Sequence, residues 1–238
     1  MVPTLESKHT LHFSHIDNQG VSRPSALFEF MQSAATRHAN ALHIGAEDLN
    51  ILWVLTRMKL HQYRPLRLGE TLRQQTWCAG AKGPNWCRGF RFWAGEDEVA
   101  AGYSIWAMLG REDHRIIRPT SAEAAKAYAI PPEGFPIPGK LACGALTPHH
   151  IHTVRYSNLD LNNHLNNARI VDLVSDGLEL DSERGRFVSE IQVNYTAECV
   201  CGDEIALSTG LTADGARAVF GQVGDAVKFE AAARLSAF

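Results

Sequence analysis

The chain echoes itself. Ser157-Asn158-Leu159-Asp160 repeats Ser14-His15-Ile16-Asp17 at a distance of 143 positions, and each is followed by a turn and a helix pattern. Farther along, Ile191-Gln192-Val193 and Gly202-Asp203-Glu204-Ile205 answer Met58-Lys59-Leu60 and Gly69-Glu70-Thr71-Leu72 at an offset of 133. A repeat constrains a fold strongly, because both copies must be units that bury one face against the same kind of neighbour. The change of offset means that the first copy holds ten more residues between helix and strand, expected around Ala46–Leu52.

In each copy a helix precedes several strands. The first helix is predicted from a Ser22 cap and Pro24 to about Leu42, with Leu27, Met31, Ala34, Ala35 and His38 along one side. The second starts at Asn166 or Asn167, carries Ile170, Val171, Leu173 and Val174, and ends near Gly177. Strands rich in aromatic and β-branched residues follow: Thr71–Ala79, Cys87–Trp93 and Ala101–Leu109, then Ile205–Leu211, Ala218–Val223 and Val227–Leu235. The pattern is α+β, with one face of an antiparallel sheet wrapping a helix in each copy. We expect a first unit over residues 1–118, a short helix from Thr120-Ser121-Ala122-Glu123 to Ala129 plus a Pro-rich linker within 119–145, and a second unit over 146–238.

The copies diverge where chemistry would sit. Leu159-Asp160-Leu161-Asn162-Asn163-His164-Leu165-Asn166-Asn167 packs one carboxylate, one imidazole and four carboxamides into nine residues. Asp17 matches Asp160, but Gln19 stands opposite Asn162, Val21 opposite His164, and Pro65-Leu66 opposite Glu198-Cys199. One copy keeps reactive groups and the other has lost them, so the fold tolerates either set. In a regular strand Glu198 and Cys199 would face opposite ways, so both reach one site only at a bulge or strand end.

Composition excludes several classes. Hydrophobic residues at 45% and charged residues at 21% describe a globular chain. No apolar run is long enough to span a bilayer, and Met1–Glu6 lacks the layout of a signal peptide. A net charge of −3 argues against nucleic acid. Arg64, Arg67, Arg73, Lys82, Arg88, Arg91, Arg111, Arg115 and Arg118 crowd the first half as a basic or merely solvated face. Five cysteines suit a reducing compartment, and a cytoplasmic protein is expected. Cys199-Val200-Cys201 lacks a second ligand pair, and His149, His150 and His152 read as a solvated strand entry, so no metal or cofactor is expected.

These residues resemble the acyl-acyl-carrier-protein thioesterases. Ile51-Leu52-Trp53-Val54-Leu55-Thr56-Arg57-Met58, Ser104-Ile105-Trp106-Ala107-Met108-Leu109, the run Ser157–Asn167 and the pair Glu198-Cys199 carry the resemblance in order along nearly the whole chain. Asn158 departs from it, since the family often has Asp there. The resemblance implies two tandem hotdog domains and hydrolysis of a fatty acyl thioester on acyl carrier protein. It implies catalytic roles for Asp160, Asn162, His164 and Glu198, with Cys199 as the alternative nucleophile to an activated water. The emptied first half would then hold the acyl chain, through Met31, Ala34, Ala35, Trp53 and Met58. A hotdog hydratase or dehydratase, a non-catalytic acyl-thioester-binding module, and pairing of two chains into a homodimer stay open.

Overall fold

The structure, a computed structural model, describes residues 4–118 and 136–238. The chain opens with β1 (Thr4–Thr10) and a single 3-10 turn, then α1 (Pro24–Ala41) and four strands: β2 (Ile51–Gln62), β3 (Thr71–Lys82), β4 (Asn85–Ala94) and β5 (Asp97–Gly110). The second half runs β6 (Thr147–Thr153), a 3-10 turn, α2 (Asn167–Gly177), β7 (Arg186–Tyr195), β8 (Glu204–Leu211), β9 (Arg217–Val223) and β10 (Ala226–Ala237). The expected short helix at 120–129 lies outside the described residues.

The two halves share one ten-stranded antiparallel sheet, ordered β1-β3-β4-β5-β2-β7-β10-β9-β8-β6. The order reads identically outward from the β2–β7 seam, so the repeat in sequence is a repeat in space. At the seam Met58 pairs with Val193 and Leu60 with Ile191, while Lys59 Nζ reaches Glu190 at 2.8 Å. Segment 136–140 crosses this seam: Arg57 donates to the Pro138 carbonyl at 2.9 Å and Gln192 to the Gly139 carbonyl at 2.7 Å. The helices lie side by side, tied by an ion pair between Glu29 and Arg169.

One apolar core joins the halves. Leu27, Phe28 and Met31 of α1 belong to the same buried cluster as Ile170, Val171 and Val174 of α2, with Met58, Phe90, Val193 and Phe229 from the sheet. Fully burying each such side chain is worth about 1.5–3 kcal/mol. Glycine permits the closest contacts: a Cβ at Gly102 would collide with Met31 Sδ, and one at Gly221 with the Phe229 ring.

Three expectations change in detail. Ser22 does not cap α1. The N-cap position is Arg23 without a side-chain bond, and Ser22 Oγ instead donates to Gln62 Oε1 at 3.3 Å in the interior. The extra residues of the first copy sit mainly in the helix, since α1 has 18 residues and α2 has 11; the loop around Ala46–Leu52 accounts for little. Gly177 does end α2, but for packing: a Cβ there would meet Val219 Cγ1 at 2.7 Å.

Candidate active site

The polar run begins with a turn held by its own carboxylate. Asp160 Oδ1 accepts the backbone amides of Asn162 at 2.8 Å and His164 at 3.2 Å, and the Asp160 amide donates to the His164 carbonyl at 2.8 Å. The inert half builds the same turn, where Asp17 Oδ1 accepts from Gln19 at 2.8 Å and Val21 at 3.0 Å. Asn163 has φ 62°, and Gly20, its counterpart, φ 76°. An asparagine tolerates that left-handed conformation better than most residues.

The other carboxamides divide by task. Asn166 Oδ1 accepts from the Ala168 amide at 2.8 Å, a true N-cap for α2. Asn167 is the first residue of α2, and its carbonyl receives the Tyr195 hydroxyl at 3.3 Å. Asn158 Oδ1 accepts from the Arg155 amide at 2.8 Å, work an aspartate would do equally well. Asn162 is left over: its side chain is exposed and makes no hydrogen bond among the described residues.

The turn brings His164 against the segment after β7. Leu165 N donates to the Cys199 carbonyl at 2.8 Å, and His164 bridges to Val200. This sets His164 Nδ1 3.3 Å from Glu198 Oε2, with the imidazole 36% and the carboxylate 68% exposed. Glu198 lies past the end of β7, where Thr196 N and Ala197 N both donate to the Lys228 carbonyl and Lys228 Nζ holds the Glu198 carbonyl at 2.9 Å. Strand alternation has stopped here. Glu198 therefore turns outward to His164 while Cys199 turns into the core.

Cys199 is 1% exposed. Its counterpart is Leu66, whose carbonyl accepts from Ser22 N at 2.8 Å as that of Cys199 does from Leu165 N. The thiol thus fills an apolar position, and burial pushes its pKa up to about 11. That disfavours the thiolate a nucleophile requires.

Met31, Ala34, Ala35 and Met58 are buried beneath and along α1. Trp53 is half-buried, donates through its indole N–H to the Ile44 carbonyl at 2.8 Å, and meets Trp86 edge-on at 5.4 Å. A cleft of about 530 Å³ opens over the seam, lined by His61, Tyr63, Arg64, Glu190 and Arg234 among others; none of the candidate residues lines it. Among the described residues no group of His, Cys, Asp and Glu side chains could hold a metal ion, and no helix is long and apolar enough to cross a membrane.

The basic face of the first half needs correcting at one residue. Arg64, Arg73, Arg91, Arg111 and Arg115 are surface residues paired to carboxylates, but Arg88 is 2% exposed and faces the interior. The signal was present: Arg88 shares its strand parity with Trp86, Phe90 and Phe92, all of them buried. With His38, Gln74, Thr76 and Ser104 it makes the first half's interior more polar than the expected apolar slot.

Residues 4–127 match the Acyl-ACP thioesterase N-terminal domain and residues 146–228 the Acyl-ACP thioesterase C-terminal domain. A palmitoyl-acyl carrier protein thioesterase of Gossypium hirsutum is 22% identical over 204 residues, covering 73% of this chain and 46% of the relative. The chain thus spans about half the length of this curated relative. Among solved structures, an acyl-ACP thioesterase from Bacteroides thetaiotaomicron superposes with a TM-score of 0.87 at 20% identity over 98% of each chain. A 12:0-ACP thioesterase from Umbellularia californica does so with 0.80 at 17% identity, over 99% of this chain and 98% of that one. These likenesses carry the fold, two hotdog units on one sheet. The family matches cover more than half of the residues between them, and the chain belongs to the acyl-ACP thioesterase family.

Proposed function

We propose that the protein hydrolyses a fatty acyl thioester borne by acyl carrier protein, releasing the free acid and the carrier thiol, with the second half catalytic and the first half holding the acyl chain. The observation that carries this reading is the His164–Glu198 pair, 3.3 Å apart at a partly exposed turn, where the first half has Val21 and Pro65.

Glu198 and His164 draw a proton from a water molecule, whose oxygen attacks the thioester carbonyl carbon. A positioned general base is worth about 10²–10⁴-fold. The negative charge then developing on the carbonyl oxygen needs donors. The Asn162 amide, uncommitted in the fold, supplies one. When the tetrahedral intermediate collapses, the carbon–sulfur bond breaks and the imidazolium returns its proton to the departing thiolate. Asp160 fixes the turn through two backbone amides and acts by positioning. Water attack is favoured over Cys199, whose thiol is buried and hard to ionise. Five unpaired cysteines suit a reducing, cytoplasmic setting.

The test is thiol release from carrier-bound acyl chains, with the free acid identified. Glu198→Gln and His164→Gln should abolish it. Full activity of either variant would remove the mechanism.

A further inference from the structure

The interior of the first half holds a charge that packing does not require. Arg88 on β4 is 2% exposed and has no carboxylate partner among the described residues. One of its terminal nitrogens lies 2.7 Å from His38 Nδ1 and donates to Thr76 Oγ1 at 3.3 Å; the other donates to Cys78 Sγ at 3.5 Å. Because the guanidinium is always a donor, His38 Nδ1 accepts, and the imidazole must stay neutral. Burial and the adjacent Arg88 charge hold its pKa down at about 4. The polar row continues along the inner face of β3 to Gln74 and onto β1 at Ser7, and among the described residues neither Gln74 Nε2 nor Ser7 Oγ has a partner. On β5, Ser104 lies opposite Arg88 and receives the Trp106 indole N–H at 2.8 Å.

Removing a guanidinium from water carries a desolvation penalty that its hydrogen bonds must offset. What the cluster does in return follows from its place. Along α1, Leu27, Met31, Ala34 and Ala35 form a buried stripe, and His38 stands one turn beyond Ala34. The stripe borders the main core with Met58 and Phe90. Beyond His38 a second apolar cluster begins, made of Ala39, Ile44, Ile51, Cys78, Trp86 and Met108. Arg88 and His38 lie between the two apolar clusters, which meet at the partly buried Trp106 on their margin.

We propose that Arg88 and His38 form a polar stop for the acyl chain, ending the slot along α1 and making the protein discriminate against longer chains. This rests on the reading of the first half as the acyl-binding side. An apolar chain gains from each methylene it buries, but a methyl end driven against a guanidinium must break the hydrogen bonds that make the buried charge tolerable. The same chain would pass freely if these two side chains were apolar.

The experiment measures kcat/KM over a ladder of saturated acyl-carrier proteins of graded length, for the natural protein, Arg88→Met and Arg88→Met/His38→Leu. Exchanging a buried charge together with its polar partner for apolar side chains of similar size is often neutral or stabilising, which favours the double variant. If Arg88→Met alone does not fold, the double variant, in which no imidazole is left facing the apolar side chain, makes the same test. The expected result is a shift of the profile toward longer chains. Relative kcat/KM should rise by about fourfold for each methylene newly accommodated, and rates on short chains should hold. Folded variants that keep the natural profile, or lose activity evenly at every length, would overturn the stop. Absence of thiol release by the natural protein at every length would overturn the proposed activity, and the stop with it.

Discussion

Gln19 and Asn162 hold the same place in equivalent turns, yet only one of them is engaged. The Gln19 amide donates to the carbonyls of Leu180 at 3.3 Å and Glu183 at 3.1 Å and accepts from Gly185 N at 2.9 Å. It fastens a loop of the second half to the first. Asn162 fastens nothing. Gln19→Ala should therefore cost about 1–3 kcal/mol of stability with little change in the activity of folded protein. Asn162→Ala should leave the denaturation midpoint alone and lower kcat by about 10²–10³. Urea unfolding and thiol release on the same preparations check both.

The paired turns allow a control on Asp160. Asp17→Ala and Asp160→Ala each strip two backbone amides of their acceptor and should destabilise to a similar degree, about 1–3 kcal/mol. Only Asp160→Ala should also reduce activity per folded molecule, because only that turn carries a histidine. Equal activities at equal folded fraction would show that Asp160 does not position His164.

Thiol chemistry separates the two nucleophile readings. With the Cys199 pKa raised to about 11, about one thiol in a thousand is ionised at pH 8. Iodoacetamide should modify the exposed Cys201 well before the buried Cys199, and activity should survive that first modification. Cys199→Ala should remain active while losing about 1–2 kcal/mol of stability to the small cavity left behind. A dead but folded Cys199→Ala would restore the thiol as nucleophile.

Acid stability follows from His38. Its folded pKa lies near 4 against an ordinary 6.5, so the unfolded chain binds a proton that the folded one resists. The stability present above pH 6.5 is lost as pH falls through the window from about 6.5 to about 4, by up to about 3 kcal/mol. Urea midpoints at several pH values should show this slope, and His38→Leu should reduce it, leaving the smaller share of His9, His15 and His61, which burial also holds below their ordinary pKa.

Much of this was legible in the sequence, and for identifiable reasons. Strands from Thr71, Ile205 and Val227 onward were readable because aromatic and β-branched runs between glycines leave few other choices. The repeat was readable because Asp17 and Asp160 do identical work and so occur at matching positions. The Ser22 cap failed since a cap signature names a residue, not the direction of its hydroxyl, and here Gln62 competes for it. That Glu198 and Cys199 face opposite ways was legible; that Glu198 meets His164 was not. It depends on where β7 stops, which Lys228 decides from a strand thirty residues away by taking two amides onto one carbonyl. Arg88 reads as a surface arginine by charge alone, whereas its strand parity with Trp86, Phe90 and Phe92 places it inside.

The seam between β2 and β7 bears on how such a protein behaves in solution. Two separate copies of one such unit meeting edge to edge would part on dilution, and every substitution in one would appear in the other. Here a covalent tether keeps the edges at a high effective concentration whatever the bulk concentration. Pairing at Met58–Val193 and Leu60–Ile191 is thus insensitive to how much protein is present. The specific activity of the chain should stay level as it is diluted, and mutations can accumulate in one half without being imposed on the other.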